Sequence, residues 1–229
     1  LDGGAKKKMM EKAVFHYQKA AERHPYEPVA PLNLASVFTR MEDYNQASVY
    51  FKQARRLGFS RDYWLKINLK QINMERLWAR DLWGKKDYDG SKRHYSRAID
   101  LLHESSRGYQ WERVYLVVVI EYARLLDERK EFNVADELFK KAESELPPYV
   151  ISSLDHNIRR EIGEHYLKKA KYLWYNRKTE EAYLNFKKSE FHLGIHGSLL
   201  KGEEDKLWSE LSSEVKKTIE FLQRAGIDG

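Results

Sequence analysis

The sequence has no cysteine, few prolines and no long apolar run. The absence of cysteine excludes disulfides, thiolate catalysis and zinc sites built on cysteine, and it is compatible with a reducing or an oxidising compartment. All five prolines fall between residues 25 and 31 or at 147 and 148, so residues 32–146 can form long helices. The most apolar run, around Tyr115–Ile120, is far shorter than the roughly 20 residues that a membrane-spanning helix needs.

The charge balance excludes a strongly cationic chain. Lysine and arginine number 41 against 35 acidic residues, a formal net charge of +6, and the two signs are interspersed. This small excess is not the composition of a protein that coats nucleic acid. The 42% hydrophobic and 13% aromatic residues are enough for an ordered core throughout.

Apolar residues recur at helical spacing, and we find no segment with the alternating pattern of a strand. Glycines lie where several apolar stretches end, and we predict that they terminate helices. These glycines are Gly58, Gly84, Gly108, Gly194, Gly197 and Gly202.

An internal repeat is the strongest signal in the sequence. Each copy has a small residue, an aromatic residue four positions later and another small residue three positions after that. The copies are Ala13-Tyr17-Ala20, Ala47-Phe51-Ala54, Ser91-Tyr95-Ala98, Ala135-Phe139-Ala142 and Ala182-Phe186-Ser189. In the last four copies an alanine stands twelve positions before the first small residue, and a large apolar residue follows that alanine by three. These alanines are Ala35, Ala79, Ala123 and Ala170.

The constant spacing predicts pairs of antiparallel helices joined by a fixed turn. Small residues allow two helices to approach closely, and the aromatic side chain fills the space between one pair and the next. Each copy therefore predicts a helical hairpin, and the first copy has only its second helix.

The repeats resemble the tetratricopeptide repeat family, whose hairpins carry the same small and aromatic pattern. The resemblance covers most of residues 10–190. It implies an all-α, right-handed superhelical solenoid of hairpins, a fold that serves mainly as a scaffold for partners.

The repeat length differs from the 34 residues usual in that family. The step from Ala13 to Ala47 is 34, but the next two steps are 44 residues each and the last is 47. We expect the extra residues to lengthen the first helix of each hairpin. The alternative is that the extra residues form loops or lengthen the second helices. Ser105 and Gly108 favour this alternative in one repeat.

The chain divides by sequence into a repeat array over residues 1–202 and a C-terminal capping helix over 203–229. One face of that helix is apolar, and a solenoid needs a terminal element to cover its last apolar face. The face comprises Leu207, Trp208, Leu211, Val215, Ile219 and Leu222. Because the chain starts at Leu1, we expect it to be a fragment of a longer protein.

The resemblance implies that first helices line a concave groove. The resemblance also implies that the residue directly after each repeated alanine points into this groove. These residues are Ser36, Arg80, Arg124 and Lys171. The predicted groove residues are Arg76, Arg80, Trp83, Arg124, Asp127, Lys171 and Trp174. Such a surface suits an acidic partner segment, or one with a free C-terminal carboxylate, because arginine pairs with carboxylates through two hydrogen bonds. The alternative is that these cations form internal pairs, for instance with Glu121 or Asp127.

We predict no enzyme, no cofactor and no metal. His192 and His196 have the spacing of two ligands on a helix, but Gly194 separates them and no glutamate follows the first histidine. His165 lies among acidic residues in what we interpret as an exposed helix face.

Two other functions stay open at this stage. Aromatic residues beside cations, as in Trp78 to Arg80, could stack bases and hold phosphates in an RNA-binding array. The chain could also be the sensor or assembly region of a larger regulatory or cell-envelope protein. We favour a scaffold that binds another protein or peptide.

Overall fold

The regular structure of the described residues is helical. The computed structural model describes residues 3–58, 60–105, 109–146 and 156–193. These ranges hold α1 (Gly3–Arg23), α2 (Val29–Arg40), α3 (Tyr44–Leu57), α4 (Arg61–Gly84), α5 (Tyr88–His103), α6 (Tyr109–Glu128), α7 (Phe132–Glu145), α8 (His156–Tyr175) and α9 (Thr179–Leu193). The prediction of an all-α fold is confirmed over these residues, and none of their helices is long and apolar enough to cross a bilayer.

Four turns with one conformation join the paired helices α2–α3, α4–α5, α6–α7 and α8–α9. In the first, Glu42 has a φ of 62°, its N–H donates to the carbonyl of Thr39, and the N–H of Asp43 donates to that of Phe38 at 3.0 Å. The other turns repeat both hydrogen bonds, with a positive φ at Lys86, Lys130 and Arg177. This is the Schellman arrangement, which satisfies the last carbonyls of the first helix. The predicted fixed turn is therefore confirmed.

Two of the predicted helix-terminating glycines, Gly58 and Gly84, do lie at helix ends, although not in a left-handed conformation. Gly58 caps α3 with a φ of −82°, and Gly84 is the last residue of α4, so neither takes the left-handed conformation that favours glycine. The left-handed positions belong to Glu42 and its equivalents, where two hydrogen bonds hold a residue with a side chain in place. Gly108, Gly194, Gly197 and Gly202 lie outside the described residues.

The extra residues of the long repeats lengthen the first helices, as predicted. Helix α2 has 12 residues, whereas α4 has 24 and α6 and α8 have 20 each. The second helices stay between 14 and 16 residues. At 1.5 Å per residue, α4 is about 18 Å longer than α2. In the last repeat, residues 147–155 between α7 and α8 lie outside the described residues.

The repeated small and aromatic residues form the core. In α3, Ala47, Phe51 and Ala54 are fully buried and pack with residues of α2 and with Ile67 and Met74 of α4. Phe51 thus fills the space between its own hairpin and the next helix. Replacing such a side chain by alanine costs about 3–5 kcal/mol.

Contacts divide the chain into two compact units, residues 1–118 and residues 119–229. The first unit holds α1 to α5 and the first half of α6, and the second holds the rest of α6 with α7, α8 and α9. The capping helix predicted for residues 203–229 lies outside the described residues.

Candidate partner-binding cleft

An apolar cleft opens between two successive first helices, α4 and α6, inside the first unit. Its volume is about 300 Å³. It is lined by Leu69, Ile72, Asn73, Arg76, Arg113, Val114, Val117 and Val118. Five of these side chains are aliphatic, two carry guanidinium groups and none is acidic. The cleft therefore combines an apolar surface with fixed positive charge.

The floor of the cleft is buried and its rim is accessible. Ile72 and Val118 are almost completely buried, whereas Val117 is 39% exposed. Arg76 is half-buried, and its Nη2 donates to Asn73 Oδ1 at 3.1 Å. Arg113 is exposed. An apolar group entering the cleft would thus meet a packed surface, with guanidinium groups at the edge.

Cations continue along the same side of α4. Lys66, Lys70, Arg76 and Arg80 lie within an arc of about 120° when projected at 100° per residue. Lys70 Nζ donates to Ser36 Oγ of α2 at 2.9 Å. Burial, with a further contribution from Arg40, lowers the pKa of Lys70. Lys70 and Arg40 are therefore close enough for their like charges to interact, and a carboxylate of a ligand would be attracted to both.

The one acidic residue between these cations in the α4 sequence is directed into the hairpin. Glu75 is 1% exposed, accepts a hydrogen bond from His94 at 2.6 Å and pairs with Arg97 Nε at 3.1 Å. His94 also stacks on Trp78, with ring centroids 3.9 Å apart. The charge of Glu75 is therefore balanced within α4 and α5.

The predicted groove residues divide between the two units. In the first unit, Arg76 lines the cleft, Arg80 is exposed about one turn before the end of α4, and Trp83 packs edge-on against Tyr88 at 4.9 Å. In the second unit, Lys171 and Trp174 are half-buried on α8. Arg124 and Asp127, also in the second unit, are engaged in ion pairs.

Arg124 is held by an acidic residue of the next first helix. Its Nε and Nη2 donate to the two carboxylate oxygens of Glu161, whose side chain is 8% exposed. The hydrogen bond to Glu161 raises the pKa of Arg124. The alternative of internal pairing is thus realised at this cation, with Glu161 rather than Glu121 or Asp127 as the partner.

Asp127 belongs to a buried charged cluster, which we define as Asp127, Asp136, His165 and Lys169. Nδ1 of His165 lies 2.7 Å from Asp127 Oδ1, and Nε2 lies 2.7 Å from Asp136 Oδ1. Lys169 Nζ also donates to Asp136. A neutral imidazole has only one N–H, so two carboxylate partners require the protonated form. The cluster joins α6, α7 and α8.

The interpretation of His165 as a residue on an exposed helix face is wrong. His165 is 1% exposed and lies 5.1 Å from the ring of Phe139. The carboxylates that compensate its burial come from α6 and α7, 38 and 29 residues away in sequence. Neighbouring acidic residues in the sequence gave no indication of these distant partners.

The sequence predicted only one of the cleft residues, Arg76. The prediction considered positions within about one turn of the repeated alanine, whereas most of the lining lies five to ten positions before it. Half of the lining, namely Leu69, Ile72, Arg113 and Val114, belongs to the lengthened part of the first helices, which the shorter α2 lacks. The departure from the 34-residue period was thus the signal that could have located the cleft.

Among the described residues, no group of three or more histidine, aspartate or glutamate side chains could hold a metal ion. His192 is half-buried and stacks on Tyr166 at 5.8 Å, while His196 lies outside the described residues. Burial lowers the pKa of His192.

Comparison with known proteins gave no match, either to a protein-family model or to a curated protein.

Proposed function

We propose that this protein is a non-catalytic scaffold whose cleft between α4 and α6 binds an acidic segment of another protein through an apolar anchor. The cleft carries the proposal, because it offers an aliphatic surface, two guanidinium groups and no acidic side chain. An aliphatic anchor would bury its surface against Ile72 and Val118, at about 25 cal/mol per Å² of apolar area removed from water. A carboxylate beside the anchor would pair with Arg76 or Arg113.

We further propose that the hairpins form a right-handed superhelical solenoid of the tetratricopeptide type. Four turns with the same hydrogen bonds, and the same small and aromatic residues in the core, support this arrangement. In such an array successive first helices are neighbours, and the described contacts between α2 and α4 follow that order. The cleft would then lie on the inner wall.

A protein segment fits the cleft better than RNA does. Single-stranded RNA is held by bases stacked on aromatic rings, and none of the eight lining residues is aromatic. The cations of α4 would attract phosphates as well as carboxylates, so nucleic acid is the competing ligand to test.

The first experiment is a selection of peptides that bind the immobilised chain from a random display library. We expect enrichment of sequences that combine acidic residues with Leu, Ile, Val or Phe. A fluorescein-labelled selected peptide should lose about tenfold or more in affinity for Arg76→Glu/Arg113→Glu, a change of ~1.4 kcal/mol or more. The matched control is Lys52→Glu/Arg93→Glu, which makes the same charge change at exposed positions of α3 and α5.

A second variant tests the apolar part of the cleft. Val117→Trp should fill the cleft and weaken the same peptide, while far-ultraviolet circular dichroism stays unchanged because Val117 is 39% exposed. Enrichment without acidic bias, or an equal loss in the control variant, would contradict the proposal. If a labelled single-stranded RNA bound more tightly than the peptide, and Arg76→Glu/Arg113→Glu weakened that binding, the cleft would be assigned to nucleic acid.

A further inference from the structure

Helix α1 carries the repeat signature without the covering that the other copies have. In α3, α5, α7 and α9 the signature residues are at most 4% exposed. In α1, Ala13, Tyr17 and Ala20 are only half-buried, Met9 is 59% exposed and His16 is exposed. We call Met9, Ala13, His16 and Ala20 the α1 strip, since they fall within one narrow arc of the helix.

The equivalent positions in the next two hairpins show what covers such a strip. His16 corresponds to Tyr50 and His94, three residues after the first small residue of their copies. Tyr50 stacks on Phe38 of α2 at 5.4 Å, and His94 stacks on Trp78 of α4 at 3.9 Å. Each partner is an aromatic residue within one turn of the alanine on a first helix. The strip is therefore shaped to receive a helix with an alanine and an aromatic residue close together.

The charges around the strip define the partner further. At 100° per residue, Lys6 projects about 20° beyond one edge of the strip, and Arg23 and Lys12 project within about 40° of the other edge. Both acidic residues of the helix, Glu11 and Glu22, project to the opposite side. A helix that docks on the strip would bind more tightly if it had acidic residues beside its docking face, because these would pair with the cations of α1.

We propose that the α1 strip binds an acidic amphipathic helix of a partner protein, in the place that a first helix occupies in the later hairpins. This goes beyond the proposed function, because it uses a different surface and a helical ligand. The small residues allow close approach of the two helices, and Tyr17 and Met9 supply apolar contact area.

The test uses copies of two first helices of this chain as model ligands. Each copy is fused to a soluble carrier protein, and its affinity for the full chain is measured by titration. A copy of residues 109–128 contains Tyr122–Ala123 with four acidic and two basic residues. A copy of residues 61–84 contains Trp78–Ala79 with three acidic and five basic residues. We expect the first copy to bind at least about tenfold more tightly at low salt, and the difference to shrink at high salt.

Variants on α1 locate the binding. Ala13→Glu/Ala20→Glu introduces two carboxylates and two longer side chains on the strip, so it should weaken the 109–128 copy at least about tenfold. Phe15→Glu/Gln18→Glu makes the same charge change on the other side of α1 and should leave binding within about twofold. If the alanine variant loses helicity, His16→Glu serves instead, because His16 is exposed.

Three results would overturn the proposal. These are equal affinity of the two copies, equal weakening by the two double variants, and no binding of the 109–128 copy up to about 1 mM. A concentration-dependent dimer that Ala13→Glu/Ala20→Glu abolishes would assign the strip to a second copy of the chain.

Discussion

The two units use one pair of repeat positions in opposite ways. In the second unit, the residue after the repeated alanine is Arg124, and it pairs with Glu161, nine positions before the alanine of the next repeat. In the first unit, the same position is Arg80, and the position equivalent to Glu161 is Val114, which lines the cleft. At this position an acidic residue forms an ion pair inside the second unit, whereas an aliphatic residue lines the cleft in the first.

The difference shows that equivalent positions of the first helices can hold an ion pair or line an apolar cleft, depending on a few side chains. This is why Arg124 is a poor choice for testing partner binding. Its replacement would leave Glu161, with a side chain only 8% exposed, without its bidentate partner. Arg76 and Arg113 line the cleft itself, so they test it directly.

The largest expected effect lies in the charged cluster of the second unit. His165→Ala leaves Asp127 and Asp136 buried without the imidazolium that bridges them, so we expect a loss of about 3–5 kcal/mol in the free energy of unfolding. Urea denaturation measures this loss. The control is His24→Ala, which removes an exposed histidine 3.9 Å from Glu27 and should cost less than about 1 kcal/mol.

If His165→Ala and His24→Ala both lost little free energy of unfolding, the charged cluster would not stabilise the second unit. Adding Asp127→Asn to His165→Ala should recover part of the stability, because it removes one of the buried charges that the alanine variant leaves unbalanced. No recovery would mean that the loss comes from the cavity rather than from charge.

A smaller effect follows from pH. Burial lowers the pKa of His165, but the hydrogen bonds to Asp127 and Asp136 outweigh burial and raise the pKa above its ordinary value of 6.5. A raised pKa in the folded state adds stability that is complete below pH 6.5 and is lost as pH rises through the folded pKa. The urea midpoint of the wild type should therefore fall above pH 6.5 more steeply than that of His165→Ala.

Low pH should also weaken the charged cluster, because it protonates Asp136. Burial raises the pKa of Asp136, but its hydrogen bonds with His165 and Lys169 outweigh burial and lower the pKa below 3.8. The stability that this carboxylate adds is present above pH 3.8 and is lost as pH falls through the folded pKa. The cluster is thus strongest between about pH 4 and 6.5, and parallel pH profiles for wild type and His165→Ala would contradict that conclusion.

The sequence predicted the hairpins because their spacing is a local property of the chain. Twelve residues from Ala35 to Ala47, repeated in three later hairpins, fix both helices and the turn between them. The charged cluster could not be predicted in this way, since its partners lie 29 to 38 residues apart and their meeting depends on how successive helices pack. Once the register is known, the pairs Ser36–Lys70 and Arg124–Glu161 occupy equivalent positions, which is a rule for finding further contacts.

The smallest effect concerns a feature that the two units share. Lys86 in the first unit and Arg177 in the second occupy left-handed positions, with φ of 65° and 61°. In the left-handed conformation, a residue with a Cβ is destabilised by about 1–2 kcal/mol. Glycine avoids this cost, but its greater loss of chain entropy on folding destabilises the protein by about 0.5–1 kcal/mol. Lys86→Gly and Arg177→Gly should therefore each raise the free energy of unfolding by about 0.5–1 kcal/mol. Lys86→Ala and Arg177→Ala, which keep the Cβ, should give no such gain; an equal gain from alanine would show that the turn conformation is not the cause.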